Sequence, residues 1–109
     1  MTKLKKLRMG LQSTQSEFVR AVAFLIQFAY SLGYELTFGD AYRDPRCGYG
    51  SSTSAHHNRL AIDFNLFKNG VYLTDSSDHS ELGIYWERLG GIWGGRFSNP
   101  DGNHYEWPK

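Results

Sequence analysis

Leu60-Ala61-Ile62-Asp63-Phe64-Asn65-Leu66-Phe67, followed by Lys68-Asn69-Gly70-Val71-Tyr72-Leu73, is the stretch that decides the fold. Side chains alternate across a strand, so Leu60, Ile62, Phe64 and Leu66 fall on one face and Ala61, Asp63 and Asn65 on the other. Asn69-Gly70 is a strong signal for a two-residue hairpin turn, which returns the chain through Val71, Tyr72 and Leu73. The result is a half-buried antiparallel sheet whose open face carries a carboxylate between Ile62 and Phe64. A carboxylate there is costly unless a cation or hydrogen bonds compensate it.

Upstream, Phe18, Val22, Leu25, Ala29 and Leu32 recur at helical spacing, with Ala21, Phe24 and Phe28 widening the stripe. Thr14 and Glu17 have capping-box spacing and Gly33 supplies a stop, which predicts a core helix over 15–32. The run Tyr34-Glu35-Leu36-Thr37-Phe38 alternates and predicts a strand leading into Asp40-Ala41-Tyr42-Arg43. Residues 44–55 are rich in Gly, Ser and Thr and read as a loop. Downstream, Leu82, Tyr85, Trp86 and Leu89 mark a second helix over 77–89, with Asp78 and Glu81 near its start and Gly90 past its end. Glycine-rich residues 90–103 read as a loop and 104–107 as a last strand. The expected fold is α+β, with two or three helices packed on a small antiparallel sheet and the functional site on the open sheet face.

The 109 residues make one domain, 1–109, with 1–13 expected as a basic, partly ordered segment. A core of this size is modest, and 7 Phe, 7 Tyr and 3 Trp enlarge it. Net charge is +1, which gives no strong field toward nucleic acid. Lys3, Lys5, Lys6 and Arg8 form a basic cluster, read as a solvated, frayed terminus or as steering toward an anionic polymer. Cys47 is the sole cysteine, so no internal disulfide or cysteine-rich metal site is possible. The most apolar stretch, 18–30, contains Arg20 and Gln27 and is too short and polar to span a bilayer. No apolar signal region follows the basic start, so the expectation is synthesis in the cytoplasm without stable membrane association.

His56, Asp63 and His104 are candidate metal ligands. A loop can fold His56 back toward the face that carries Asp63, and His104 on the last strand can complete the set. Two imidazoles and a carboxylate suit zinc with an open fourth position. Asp101, three residues before His104, can accept a proton from the attacking water; the alternative is that Asn99-Pro100-Asp101-Gly102 is a plain surface turn. Glu106 shares a strand face with His104 and can orient it. Arg43 can hold a substrate carboxylate or stabilise a tetrahedral intermediate, the alternative being a surface ion pair with Asp44 or Asp40.

Ser54-Ala55-His56, six residues, then Asp63, with Ala61 two before the aspartate, resembles the SxHxxxxAxD signature of the D-Ala-D-Ala carboxypeptidase and L-alanyl-D-glutamate peptidase family. Gly94-Gly95-Arg96-Phe97 with Asp101-Gly102-Asn103-His104-Tyr105-Glu106-Trp107 is similar to its closing motif. Ala41-Tyr42-Arg43 resembles its Gly-Tyr-Arg substrate motif, with alanine in place of glycine. The resemblance covers about residues 16 to 107. It implies one zinc per chain held by His56, Asp63 and His104, Asp101 as base, Arg43 as substrate or oxyanion anchor, and Ser54 at the substrate. His57 competes with His56, and the signature favours His56.

The aspartate at the base position and the compact size resemble phage endolysins. That implies a monomer that cuts the stem peptide of peptidoglycan after release through a holin. A D-Ala-D-Ala carboxypeptidase or dipeptidase is the alternative within the family. An inactive wall-binding domain and an HNH-type nuclease, prompted by His56-His57-Asn58, are alternatives of other classes. The near-neutral charge opposes the nuclease and the filled site positions oppose the inactive domain.

Overall fold

The structure, a computed structural model, describes residues 3–39 and 58–109. Arg43, Ser54, His56 and His57 lie outside them. Helix α1 runs Lys3–Ser31, strand β1 Tyr34–Phe38, β2 Ala61–Lys68 and β3 Val71–Leu73. A 3-10 turn at Ser76–His79 leads into α2, Ser80–Arg88; β4 is Ile92–Trp93, a second 3-10 turn is Gly94–Arg96, and β5 is His104–Glu106.

All five strands join one sheet in the order β1-β2-β5-β4, with β3 also on β2, and every pairing is antiparallel. The β2–β3 turn has positive φ at Asn69 (53°) and Gly70 (77°), the conformation that this dipeptide favours. The alternation read from the sequence is the one observed. Leu60, Ile62, Phe64 and Leu66 are buried against Phe18, Leu25, Leu82, Trp86 and Tyr105, whereas Asp63 and Asn65 stay partly exposed. Each fully buried Leu or Phe contributes roughly 1.5–3 kcal/mol, so this single layer between sheet and helices carries the stability.

Two expectations need correction. Helix α1 begins at Lys3, well before residue 15, so the basic cluster is helical. The Thr14 hydroxyl donates to the Gly10 carbonyl at 3.0 Å, satisfying itself inside the helix instead of capping a start. The stretch expected as loop after α2 also contains β4. Two residues are too few to show a period, and β4 exists because Ile92 and Trp93 pair with Glu106 and Tyr105. Among the described residues no helix is long and apolar enough to cross a membrane.

Candidate active site

Asp63 and His104 are 41 residues apart and face each other across the β2–β5 pairing. His104 Nδ1 lies 3.2 Å from Asp63 Oδ1, and its Nε2 lies 2.8 Å from Glu106 Oε1. Glu106 stands opposite Ala61, whose small side chain leaves room for it. The Phe97 ring packs at 5.6 Å from the imidazole and walls the site. Burial acts to lower the His104 pKa, but the hydrogen bonds and charges of Asp63 and Glu106 outweigh it and raise it from 6.5 to about 9. In the metal-free protein the ring is thus a cation held between two carboxylates. A metal held by its Nδ1 would have to displace one proton.

Asp101 sits on a tightly fixed turn. His104 N–H donates to the Asp101 carbonyl at 3.1 Å and Asp101 N–H donates to the Gly94 carbonyl at 2.9 Å. Trp93 Nε1 donates to the Gly102 carbonyl at 2.8 Å, and Gly102 N–H donates to Ser76 Oγ at 2.9 Å. Residue 94 must be glycine for this approach, because a Cβ there would stand 2.2 Å from the Asp101 carbonyl oxygen. The Asp101 side chain is exposed. The sequence reading passed over the backbone frame of Gly94, Trp93 and Ser76, and Phe97 as the wall. Only the Gly94-Gly95-Arg96-Phe97 motif hinted at them.

Behind β5, buried His79 has Nδ1 2.7 Å from the Tyr105 hydroxyl. Burial lowers its pKa from 6.5 to about 4, with Asp78 opposing weakly. A folded pKa below the unfolded one gives stability that is present above pH 6.5 and lost as pH falls through 4. Between pH 7 and 4 the protein should therefore lose about 3 kcal/mol more stability than His79→Gln, in which that titration is absent. Urea unfolding of both proteins across this range tests it; parallel losses would show that His79 does not drive the acid sensitivity.

Among the described residues no three-membered His, Cys, Asp and Glu cluster of metal-binding geometry occurs. The Asp63–His104 pair nevertheless fits a metal. Two donors bound at 2.0–2.2 Å to a tetrahedral ion stand about 3.4 Å apart, close to the separation seen, and Glu106 occupies the nitrogen facing away from Asp63.

The His–Asp pair thus lies across β2 and β5 of a small α+β domain, with the Asp101 turn leading into the histidine strand. A family model described as D-alanyl-D-alanine carboxypeptidase matches residues 48–107. The chain belongs to that family, whose members are peptidases that act on peptidoglycan. A crystal structure of the Serratia marcescens L-Ala D-Glu endopeptidase ChiX is similar in fold, with a TM-score of 0.67 and 17% identity, over 93% of this chain and 85% of that one. No curated protein matches the chain.

Proposed function

We propose that this chain is a zinc-dependent peptidoglycan peptidase of the endolysin type, which hydrolyses the L-Ala to D-Glu bond of the stem peptide. The observation that carries the reading is the Asp63–His104 pair at 3.2 Å with Glu106 behind the imidazole. His56, Asp63 and His104 would hold one zinc, which when bound supplies a Lewis acid that polarises the scissile carbonyl and lowers the pKa of water.

The chain's own residues do the rest. Asp101 takes the proton of the attacking water and passes it to the leaving amine. Glu106 accepts the His104 Nε2–H and thereby keeps Nδ1 free of its proton toward the metal. Arg43 anchors a substrate carboxylate or the developing oxyanion, and Ser54 lies at the substrate. The proposal includes a monomeric enzyme made in the host cytoplasm and released to the wall through a holin.

The family description favours a second reading, removal of the terminal D-Ala by a carboxypeptidase or dipeptidase. Digestion of purified peptidoglycan with the zinc-loaded protein, with new termini identified by mass spectrometry, separates the two. A new D-Glu amino terminus supports the endopeptidase, and free D-Ala supports the alternative. An intact sacculus with zinc bound would sink both.

Arg43→Lys should be nearly as damaging as Arg43→Ala, since a point charge does not replace a planar two-pronged donor. We expect turnover to fall by about tenfold or more in both with zinc retained. Wild-type kinetics in both would return Arg43 to the surface.

A further inference from the structure

Strand β2 gives one edge to two partners: β5 pairs along Ala61, Ile62 and Asp63, and β3 along Leu66, Phe67 and Lys68. Where one partner stops and the other starts, beside Asn65, a cavity of about 260 Å³ opens. Asn65, Tyr72, Asp75, Ser76, His79 and Asp101 are among its walls, and among the described residues no lysine or arginine is. Asp101 places the cavity next to the proposed reaction centre, because its carbonyl is bonded to the His104 N–H at 3.1 Å.

A second feature of this cavity points to a ligand. His79 borders it yet is only 3% exposed. Its Nδ1 is taken by Tyr105, which does not line the cavity, and its other nitrogen has no hydrogen bond among the described residues. A buried imidazole nitrogen needs a polar partner, and the cavity is where one can come from.

We infer that this cavity is a substrate subsite for a primary ammonium group, borne by a diamino-acid side chain on the leaving-amine side of the scissile bond. The inference rests on the peptidase reading with Asp101 as base. An ammonium offers three donors and no acceptor, which suits Asp75, the Asn65 amide oxygen and a neutral imidazole nitrogen. Among the described residues the cavity holds two carboxylates and no cation, which disfavours a substrate carboxylate there. The leaving-amine side follows from Asp101, which borders the cavity and is the group that delivers the proton to that amine.

The test uses two synthetic stem peptides that differ in one group, a free side-chain ammonium in one and its acetylated form in the other. We expect kcat/KM about tenfold higher for the free ammonium, with the difference in KM, as a charge-assisted hydrogen bond is worth that much. Asp75→Asn should bring the two peptides together. In parallel, Nα-acetyl-lysinamide titrated into the zinc-loaded protein should shift the NMR signals of Asn65 and His79, and norleucinamide should not. Equal kcat/KM for the two peptides, or no lysinamide shift at those residues, overturns the inference. Cleavage of neither peptide with lysinamide still bound removes the peptidase reading and leaves an ammonium site with another purpose.

Discussion

Asp101→Asn should lower peptide hydrolysis by roughly two to four orders of magnitude while the fold and the bound zinc persist. The size of the effect is that of a positioned proton acceptor. Its selectivity follows from the frame around the residue. Asp101 is held by its backbone, through Gly94 and His104, and its neighbour Gly102 by Trp93 and Ser76, so an amide side chain disturbs none of those bonds. Glu106 is the rival base. The structure commits its carboxylate to His104 Nε2 at 2.8 Å, which is the place of an orienting group. Glu106→Gln should therefore weaken zinc affinity about 10- to 100-fold and recover activity when zinc is supplied in excess. If Asp101→Asn stays active while zinc-loaded Glu106→Gln is dead, the two roles must be exchanged.

His104→Ala should abolish tight zinc binding and also destabilise the protein without metal. The imidazolium is the cation between Asp63 and Glu106, and removing it leaves two partly buried carboxylates without that charge. Breaking such an arrangement costs about 3 kcal/mol, to which the lost contribution of bound metal is added. Asp63→Asn makes the useful contrast. It should also lose zinc, since a neutral amide is a poor ligand, but it keeps the strand's shape and leaves His104 with Glu106. Its metal-free melting temperature should fall less than that of His104→Ala. Full zinc retention in Asp63→Asn would remove the β2 carboxylate from the proposed site, and an unchanged metal-free melting temperature in His104→Ala would show that the ion pairs carry no stability.

Much of the architecture was legible because it is written in local periods. The alternation through β2, the Asn69-Gly70 turn and the apolar stripe of α1 each act over a few residues. The first two appear where they were read, and the stripe does except at Phe24, which is 48% exposed while Ile26 packs on the core instead. The open-face carboxylate was legible for the same reason. An aspartate flanked by Ile62 and Phe64 has to find compensation, and His104 supplies it. His56, Arg43 and Ser54 rest on motif spacing alone, since they fall outside the described residues.

Other features depend on partners distant in the chain, and no local pattern specifies them. Thr14 and Glu17 have the same spacing at a helix start and inside a helix, and the difference is whether Thr14 finds the carbonyl of Gly10. Strand β4 is defined by β5, and the His104 nitrogen that meets Glu106 is defined by the register that sets Ala61 opposite Glu106. The cavity beside Asn65 arises because two strands divide one edge of β2, and His79 lines it only because the 3-10 turn before α2 packs there. Hydrophobic period and turn chemistry act within a few residues and so can be read along the chain. The pairing of edges and the direction of each polar atom are set by close packing between segments that are remote in sequence, and they exist only once those segments meet.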